Sequence, residues 1–235
     1  MGNLMEFEVI LNDVIPRTHD VKSFRFNKPE GFDYLAGQYI MVSVSVDGTV
    51  LKKPLTISSS PLDEDLEFTK KLTGHEFSNA LDSLNAGDSF TIDGPYGKLT
   101  FEGEYDKIAL ISGGIGITPM ISICKNCTDQ KAPFDIVLIA SNKTEEDIAF
   151  RKELEQMESE NPHLRVVHTL TRADDSWKGC REHICENMIL KEIPDYKERV
   201  FYLCGPPGMV KAVKELLVEM DIPKSMMKIE LITGY

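Results

Sequence analysis

Apolar and polar residues alternate through much of the N-terminal half, most clearly in "YIMVSVSV" at positions 39–46. Side chains two apart share one face of a strand, so this period marks half-buried strands. Short runs of the same kind cover 7–14, 21–26, 51–58, 66–72 and 89–92. Turn chemistry separates them in "KPEG", "VDGT", "NAGD" and "DGPYG". One helical stretch interrupts at 78–84, with Ser78 placed to cap it. Six short strands and one helix predict a small antiparallel β-barrel.

The period changes after residue 105. Apolar runs at 107–112, 135–141, 164–171, 199–204 and 227–232 read as buried strands. Helical patterns near 119–127, 145–159, 181–190 and 207–220 lie between them. Thr144 with Asp147 resembles a capping box opening the second of these. Strand alternating with helix forces a parallel sheet with right-handed crossovers. The expected fold is therefore two domains, a six-stranded barrel followed by a doubly wound α/β unit of five parallel strands. The boundary falls near 100–104, giving 1–102 and 103–235.

Two strand-to-helix turns carry the glycines. In "ISGGIGITPM", Gly113, Gly114 and Gly116 follow the apolar run 108–111. Thr118 is placed to cap the next helix, and Pro119 suits its first position, where no amide hydrogen is missed. Helix-start amides and the helix dipole favour a phosphate above such a turn. Pro119 replaces the third glycine of the dinucleotide fingerprint, and "IASNK" ends the next strand without a carboxylate. A tight packing turn remains the alternative. The second turn, in "YLCGPPGMV", holds Cys204, Gly205, Pro206, Gly208 and Met209. Both turns fall at carboxyl ends of parallel strands, where open sheets bind ligands.

Charge narrows the partners. The 235 residues hold 26 Lys and Arg against 38 Asp and Glu, a net charge of −12. Nucleic acid and anionic membrane surfaces are poor partners for such a chain. No apolar stretch reaches the roughly 20 residues that span a bilayer. The first ten residues lack a basic region followed by an apolar one, and "MGNLME" lacks the hydroxyl residue of a myristoylation motif. Five cysteines, an odd number, read as reduced thiols in a cytoplasmic protein. Cys124 and Cys127 share a helix face without two further zinc ligands at suitable spacing, and read as ordinary thiols. Neither a metal site nor an iron–sulfur cluster is expected.

Taken together, "AGQYIMV", "DGPYGKLTF", "GGIGITPM", "YLCGPPGMV" and "IELITGY" stand in the order and spacing of the ferredoxin–NADP⁺ reductase superfamily. The resemblance covers about 6–235 and implies a flavin-binding barrel followed by a nicotinamide-nucleotide domain.

It implies site residues as well. "KPLTISSS" is similar to the family's Arg-x-Tyr-Ser/Thr flavin motif. Lys53 stands at the arginine position, beside Pro54, and would meet the flavin pyrophosphate as a point charge without arginine's fork. Leu55 replaces the stacking tyrosine, Thr56 is the hydroxyl near flavin N5, and Ser59 matches a later serine. "LTGHEFSNAL" resembles the second flavin segment, with Gly74, Phe77, Ser78 and Asn79 offering backbone amides. Lys70 completes the flavin set. Cys204 would position the nicotinamide, and Glu230 would lie by the flavin–nicotinamide contact. Ile232 stands where the family often stacks an aromatic, and Tyr235 is the candidate to fold back instead. Thr171 and Arg172 resemble the pair that reads the 2′-phosphate of NADP.

The implied activity is a flavin-dependent oxidoreductase, with catalytic candidates Thr56, Cys204 and Glu230. FAD is expected, with FMN as the alternative, and NADPH is favoured over NADH. The implied acceptor is a separate protein such as ferredoxin, with free flavin and quinones as rivals. The alternatives are an electron-transfer subunit of a larger complex, or a flavin-binding module without turnover.

Overall fold

The computed structural model describes residues 5–232. The predicted Tyr235 contact lies outside the described residues. The first sheet comprises β1 (Met5–Pro16), β2 (Val21–Asn27), β3 (Tyr39–Val46), β4 (Thr49–Thr56), β5 (Asp65–Lys71) and β6 (Ser89–Tyr96). Their order is β4-β3-β6-β1-β2-β5, antiparallel throughout. The ends of the sheet meet where Ile57 bridges Phe68 and the Ser58 amide donates to the Glu67 carbonyl at 2.7 Å. Closure removes the edges an open antiparallel sheet would expose. The alternating apolar residues fill the interior: Ile40, Val42, Phe24, Phe26, Phe68 and Ile92 are all buried. Phe26 meets Phe90 edge-on with ring centroids 5.2 Å apart, a favoured aromatic geometry.

The second sheet comprises β7 (Lys107–Gly113), β8 (Asp135–Asn142), β9 (Leu164–Leu170), β10 (Val200–Gly205) and β11 (Met227–Leu231). All pairs are parallel, in the order β11-β10-β7-β8-β9. Successive strand residues serve opposite faces. Ile108, Leu110, Tyr202 and Cys204 join one core, with α2 (Ile117–Asp129) and α3 (Arg151–Glu160). Ala109, Ile111, Phe201 and Leu203 join another, with α4 (Glu186–Glu192) and α5 (Pro207–Glu219). The chain leaves β7 in one direction and returns on its other side at β10. The switch point therefore lies between β7 and β10, where both glycine turns end.

Several local expectations shift. The helix in the barrel half, α1, spans Glu76–Asp82 and starts after His75, not Ser78. Ser78 is buried inside it, and its Oγ accepts the Thr73 amide at 2.9 Å. α2 begins at Ile117 after a 3-10 turn at Gly114–Gly116, so Thr118 is not its cap. Thr118 instead donates back to the Ile115 carbonyl at 3.0 Å. The Thr144–Asp147 box is present, with the Thr144 amide donating to Asp147 at 3.0 Å, but it opens a single 3-10 turn. Phe150, in the left-handed conformation at φ 62°, breaks the expected 145–159 helix before α3 begins. The helix expected at 181–190 forms later, as α4, behind an irregular segment tied to β9 by one bridge, Thr169 to Cys180.

The halves pack through α2. Ser122 Oγ donates to the Ser59 carbonyl at 2.7 Å, and Lys125 pairs with Asp63. Among the described residues no helix is long and apolar enough to cross a membrane.

Candidate functional site

Two cavities meet at the boundary between the sheets. The larger, about 560 Å³, opens between the ends of β4 and β5, the start of α1, and the Ile115 turn with the end of β11. Lys53, Pro54, Leu55 and Thr56 wall it from β4. Lys70 from β5 and Phe77 and Ser78 from α1 form the next side, and Thr118 and Glu230 close the far one. The smaller, about 340 Å³, sits over the glycine turns and is bordered by Gly113, Gly114, Ser141, Thr171, Pro206 and Met209. Ile115 borders both, so the two cavities share a wall.

Their chemistry differs along their length. Leu55, Phe77, Ile115 and Ile232 give the larger cavity apolar surface suited to a flat ring. An aromatic is also present: Tyr39, which pairs with Thr56 across β3 and β4, borders the same space and stacks on Tyr96 at 5.6 Å. At the other end Lys70 titrates below its ordinary value, through burial first and then through Lys53 and Lys71. Both of those neighbours are positive, which is the environment of an anion site. Lys71 itself is paired with Asp20 at 2.6 Å. The larger cavity thus suits an isoalloxazine joined to a pyrophosphate.

The glycines of the first turn divide by role. Gly116 lies against β10, where a Cβ would fall 2.3 Å from the Cys204 carbonyl oxygen. That glycine is required for packing. Gly114 has φ 51°, is exposed between buried neighbours, and a Cβ there would meet nothing within 4 Å. The space above it is free for a ligand to approach the backbone.

The other expected residues divide between buried, lining and exposed positions. Ser59 is buried, its Oγ accepting the Glu67 amide at 3.0 Å and facing the Tyr34 hydroxyl at 3.0 Å. Asn79 donates its side-chain amide to the Gly74 carbonyl at 2.9 Å. Cys204 is fully buried beside Gly205, and burial raises its thiol well above the ordinary range. Glu230 pairs with Cys204 across the β10–β11 register, and its carboxyl is raised by burial. Pro119 is buried in α2, Gly208 is exposed in the first turn of α5, and Arg172 is exposed, its amide bound to the Lys143 carbonyl at 2.8 Å. Sequence reasoning passed over Tyr39, Thr69, Thr73, His75 and Ile115 as lining residues. Tyr39 was within reach, since antiparallel pairing puts it opposite the flavin-motif hydroxyl.

The comparisons with known proteins agree with this architecture. A family described as "Oxidoreductase FAD-binding domain" matches residues 8–101, and "Oxidoreductase NAD-binding domain" matches 110–215. The NADH-cytochrome b5 reductase 2 of Xenopus laevis is 30% identical over 243 residues, covering 88% of this chain and 82% of that protein. The chain belongs to the ferredoxin–NADP⁺ reductase superfamily. It carries the FAD-binding and NAD-binding oxidoreductase domains of that superfamily, one after the other. The glycine betaine monooxygenase reductase subunit of Chromohalobacter salexigens is 34% identical over 213 residues, 87% of this chain. The chain spans 58% of the length of that relative. The cytochrome b5 reductase domain of Ulva prolifera nitrate reductase superposes with a TM-score of 0.85 at 26% identity, covering 97% of each chain. The ferredoxin NADP⁺ reductase of Neisseria gonorrhoeae, bound to FAD and NADP, shares the fold at 21% identity, with a TM-score of 0.82 over 96% of this chain.

Proposed function

We propose that residues 1–102 hold FAD in the larger cavity, that 103–235 bring NAD(P)H to the smaller one, and that electrons leave to a separate redox protein. The observation that carries this reading is the wall shared at Ile115: two ligands, one in each cavity, would face each other at the switch point. The bound flavin supplies hydride acceptance and the conversion of two-electron to one-electron transfer.

The chain's own residues bind and orient. Lys53 and Lys70 neutralise the pyrophosphate, and the start of α1 from Gly74 to Ser78 contributes backbone amides, the Asn79 amide being bound to the His75 carbonyl at 2.8 Å. Leu55, Ile232 and Tyr39 cover the ring and exclude water. Thr56 directs its hydroxyl to the reacting edge. Gly113, Gly114, Pro206 and Met209 shape the nucleotide cradle, and Gly208 leaves the α5 start open. Glu230, at the wall of the larger cavity and backed by the buried Cys204, sets the depth at which the nicotinamide ring stops. NADPH is favoured over NADH, because Thr171 borders the crevice, Arg172 follows it at the surface, and "IASNK" places no carboxylate at the end of β8.

The acceptor in this reading is a ferredoxin or a comparable iron–sulfur or haem protein, and the five free cysteines support a cytoplasmic setting. A second reading, a reductase subunit of a multi-component oxygenase, is favoured by the relative whose name is a monooxygenase reductase subunit. The test is an absorption spectrum of the purified protein, followed by NAD(P)H oxidation with an artificial acceptor. A yellow protein that turns over with NADPH supports the proposal. Protein that stays colourless after reconstitution with FAD and FMN overturns it. Flavin bound without turnover would leave only a binding module.

A further inference from the structure

Arg17, just beyond β1, lies on the flavin side of the molecule but its guanidinium is buried against the other side. Its Nε donates to Ser23 Oγ at 2.7 Å, and its Nη2 donates to both Glu67 oxygens at 3.0 and 3.1 Å. Its Nη1 pairs with Glu153, in the first turn of α3. The guanidinium also lies over the Phe150 ring, 4.5 Å from its centroid. Arg25 adds a second cation to Glu67 at 2.9 Å, so Glu67 holds both arginines on the barrel side, while the Glu153 pair and the Phe150 contact cross to the other half.

Phe150 is the residue in the left-handed conformation, at φ 62°. A bulky side chain holds that conformation only where its surroundings enforce it. On its N-terminal side runs the segment that supplies Lys143, Asp147 and Ala149 to the smaller cavity. On its C-terminal side α3 starts, the Leu154 amide donating to the Phe150 carbonyl at 2.9 Å. Arg17 therefore grips the kink twice, by the ring of Phe150 and by the carboxylate of Glu153.

We propose that Arg17 is a positioning residue for the nicotinamide nucleotide: from the flavin side it fixes the Phe150 kink, and so sets where the 143–149 wall of the nucleotide crevice stands. This rests on reading that crevice as the nucleotide site. A lysine would keep the charge but lose the planar fork and the ring contact.

The experiment compares flavin-loaded wild-type protein with Arg17→Gln, Arg17→Lys and Glu153→Gln. Titration calorimetry with NADP⁺ reads binding, the flavin spectrum reads the barrel, and hydrogen–deuterium exchange reads the amides of 143–150. Arg17→Gln is expected to raise the Kd about tenfold. Its flavin content and spectrum should stay unchanged, while exchange across 143–150 quickens. Arg17→Lys should fall between it and wild type, and Glu153→Gln should shift Kd in the same direction by less. Wild-type Kd and wild-type exchange in Arg17→Gln would overturn the proposal. So would loss of flavin and barrel protection together with nucleotide, which marks general damage. Wild-type protein that bound flavin but no nucleotide would sink the functional reading instead, and exchange across 143–150 would still decide the role of Arg17.

Discussion

Thr56 ends β4 with its side chain buried at the cavity wall, and its hydroxyl is the group we propose for the reacting edge of the flavin. Replacing it with valine keeps the shape and removes the donor. Thr56→Val should slow flavin reduction by about tenfold, equivalent to ~1.4 kcal/mol of transition-state stabilisation lost, with flavin retained. Rapid mixing with NADPH checks this, and an unchanged rate refutes it. Arg172 is exposed beside the crevice, so its loss should leave the fold intact. Arg172→Ala should raise KM for NADPH about tenfold and KM for NADH far less, as expected when a charged hydrogen bond to phosphate is removed. Equal effects on the two coenzymes would remove the NADPH preference. The pair Cys124 and Cys127 shows how burial decides residue chemistry. Both are buried in α2, and burial pushes the Cys127 thiol up to about 12, so neither offers a thiolate at neutral pH.

At the scale of the element, the first glycine turn joins two requirements that the letters do not separate. Gly116 lets α2 start against the end of β10, and Gly114 leaves the backbone open to a ligand. Gly116→Ala should cost about 1–3 kcal/mol, because the atoms its Cβ meets are backbone and have nowhere to go. Its unfolding midpoint should fall by several degrees. Gly114→Ala should cost only about 1 kcal/mol of stability, from its left-handed conformation. Its nucleotide affinity should nevertheless fall about tenfold, because the methyl group fills the approach to the backbone. Thermal melts and NADP⁺ titrations on both variants separate the roles, and equal effects in the two would refute the division. The shape of α3 follows similar logic. Its amphipathic pattern was legible, but the break at Phe150 was not, since nothing local to "DIAFRKEL" marks a left-handed residue. Burial of the Phe150 ring and its contact with Arg17 hold that conformation, and both are long-range.

Across the whole molecule, one ion network ties the second sheet together at the end opposite the crevice. Arg199, only 4% exposed, donates to the Ile108 and Asp135 carbonyls and to Asp195 at 2.7 Å, with Lys107 joining Asp195 at 3.0 Å. The Arg199 hydrogen bond first, and then Lys107, hold the Asp195 carboxyl down to about 2 from an ordinary 3.8. A carboxyl lowered on folding stabilises the protein above its unfolded value and loses that contribution as pH falls toward the folded one. Asp195→Asn should therefore cost about 2 kcal/mol at pH 7, with the gap to wild type closing between about pH 4 and pH 2. Denaturant melts across that range test it, and a gap independent of pH would show that the charge is not the cause.

The sequence by itself determined the two sheets, their strand content and the two glycine turns. Side-chain period and turn chemistry are local, and they survive without knowledge of what packs against them. It also carried most of the cavity walls, because "KPLT" and "GGIGITP" each place several lining residues on consecutive backbone positions. Only the tertiary structure decided that Tyr39 supplies an aromatic beside Leu55, that Ser59 and Asn79 are committed to internal hydrogen bonds, and that Ile115 joins the two cavities. It alone decided that Arg17 reaches across the boundary to α3. Each of these depends on segments far apart in the chain meeting at a fixed register, and register is set by packing, which no single stretch of residues contains.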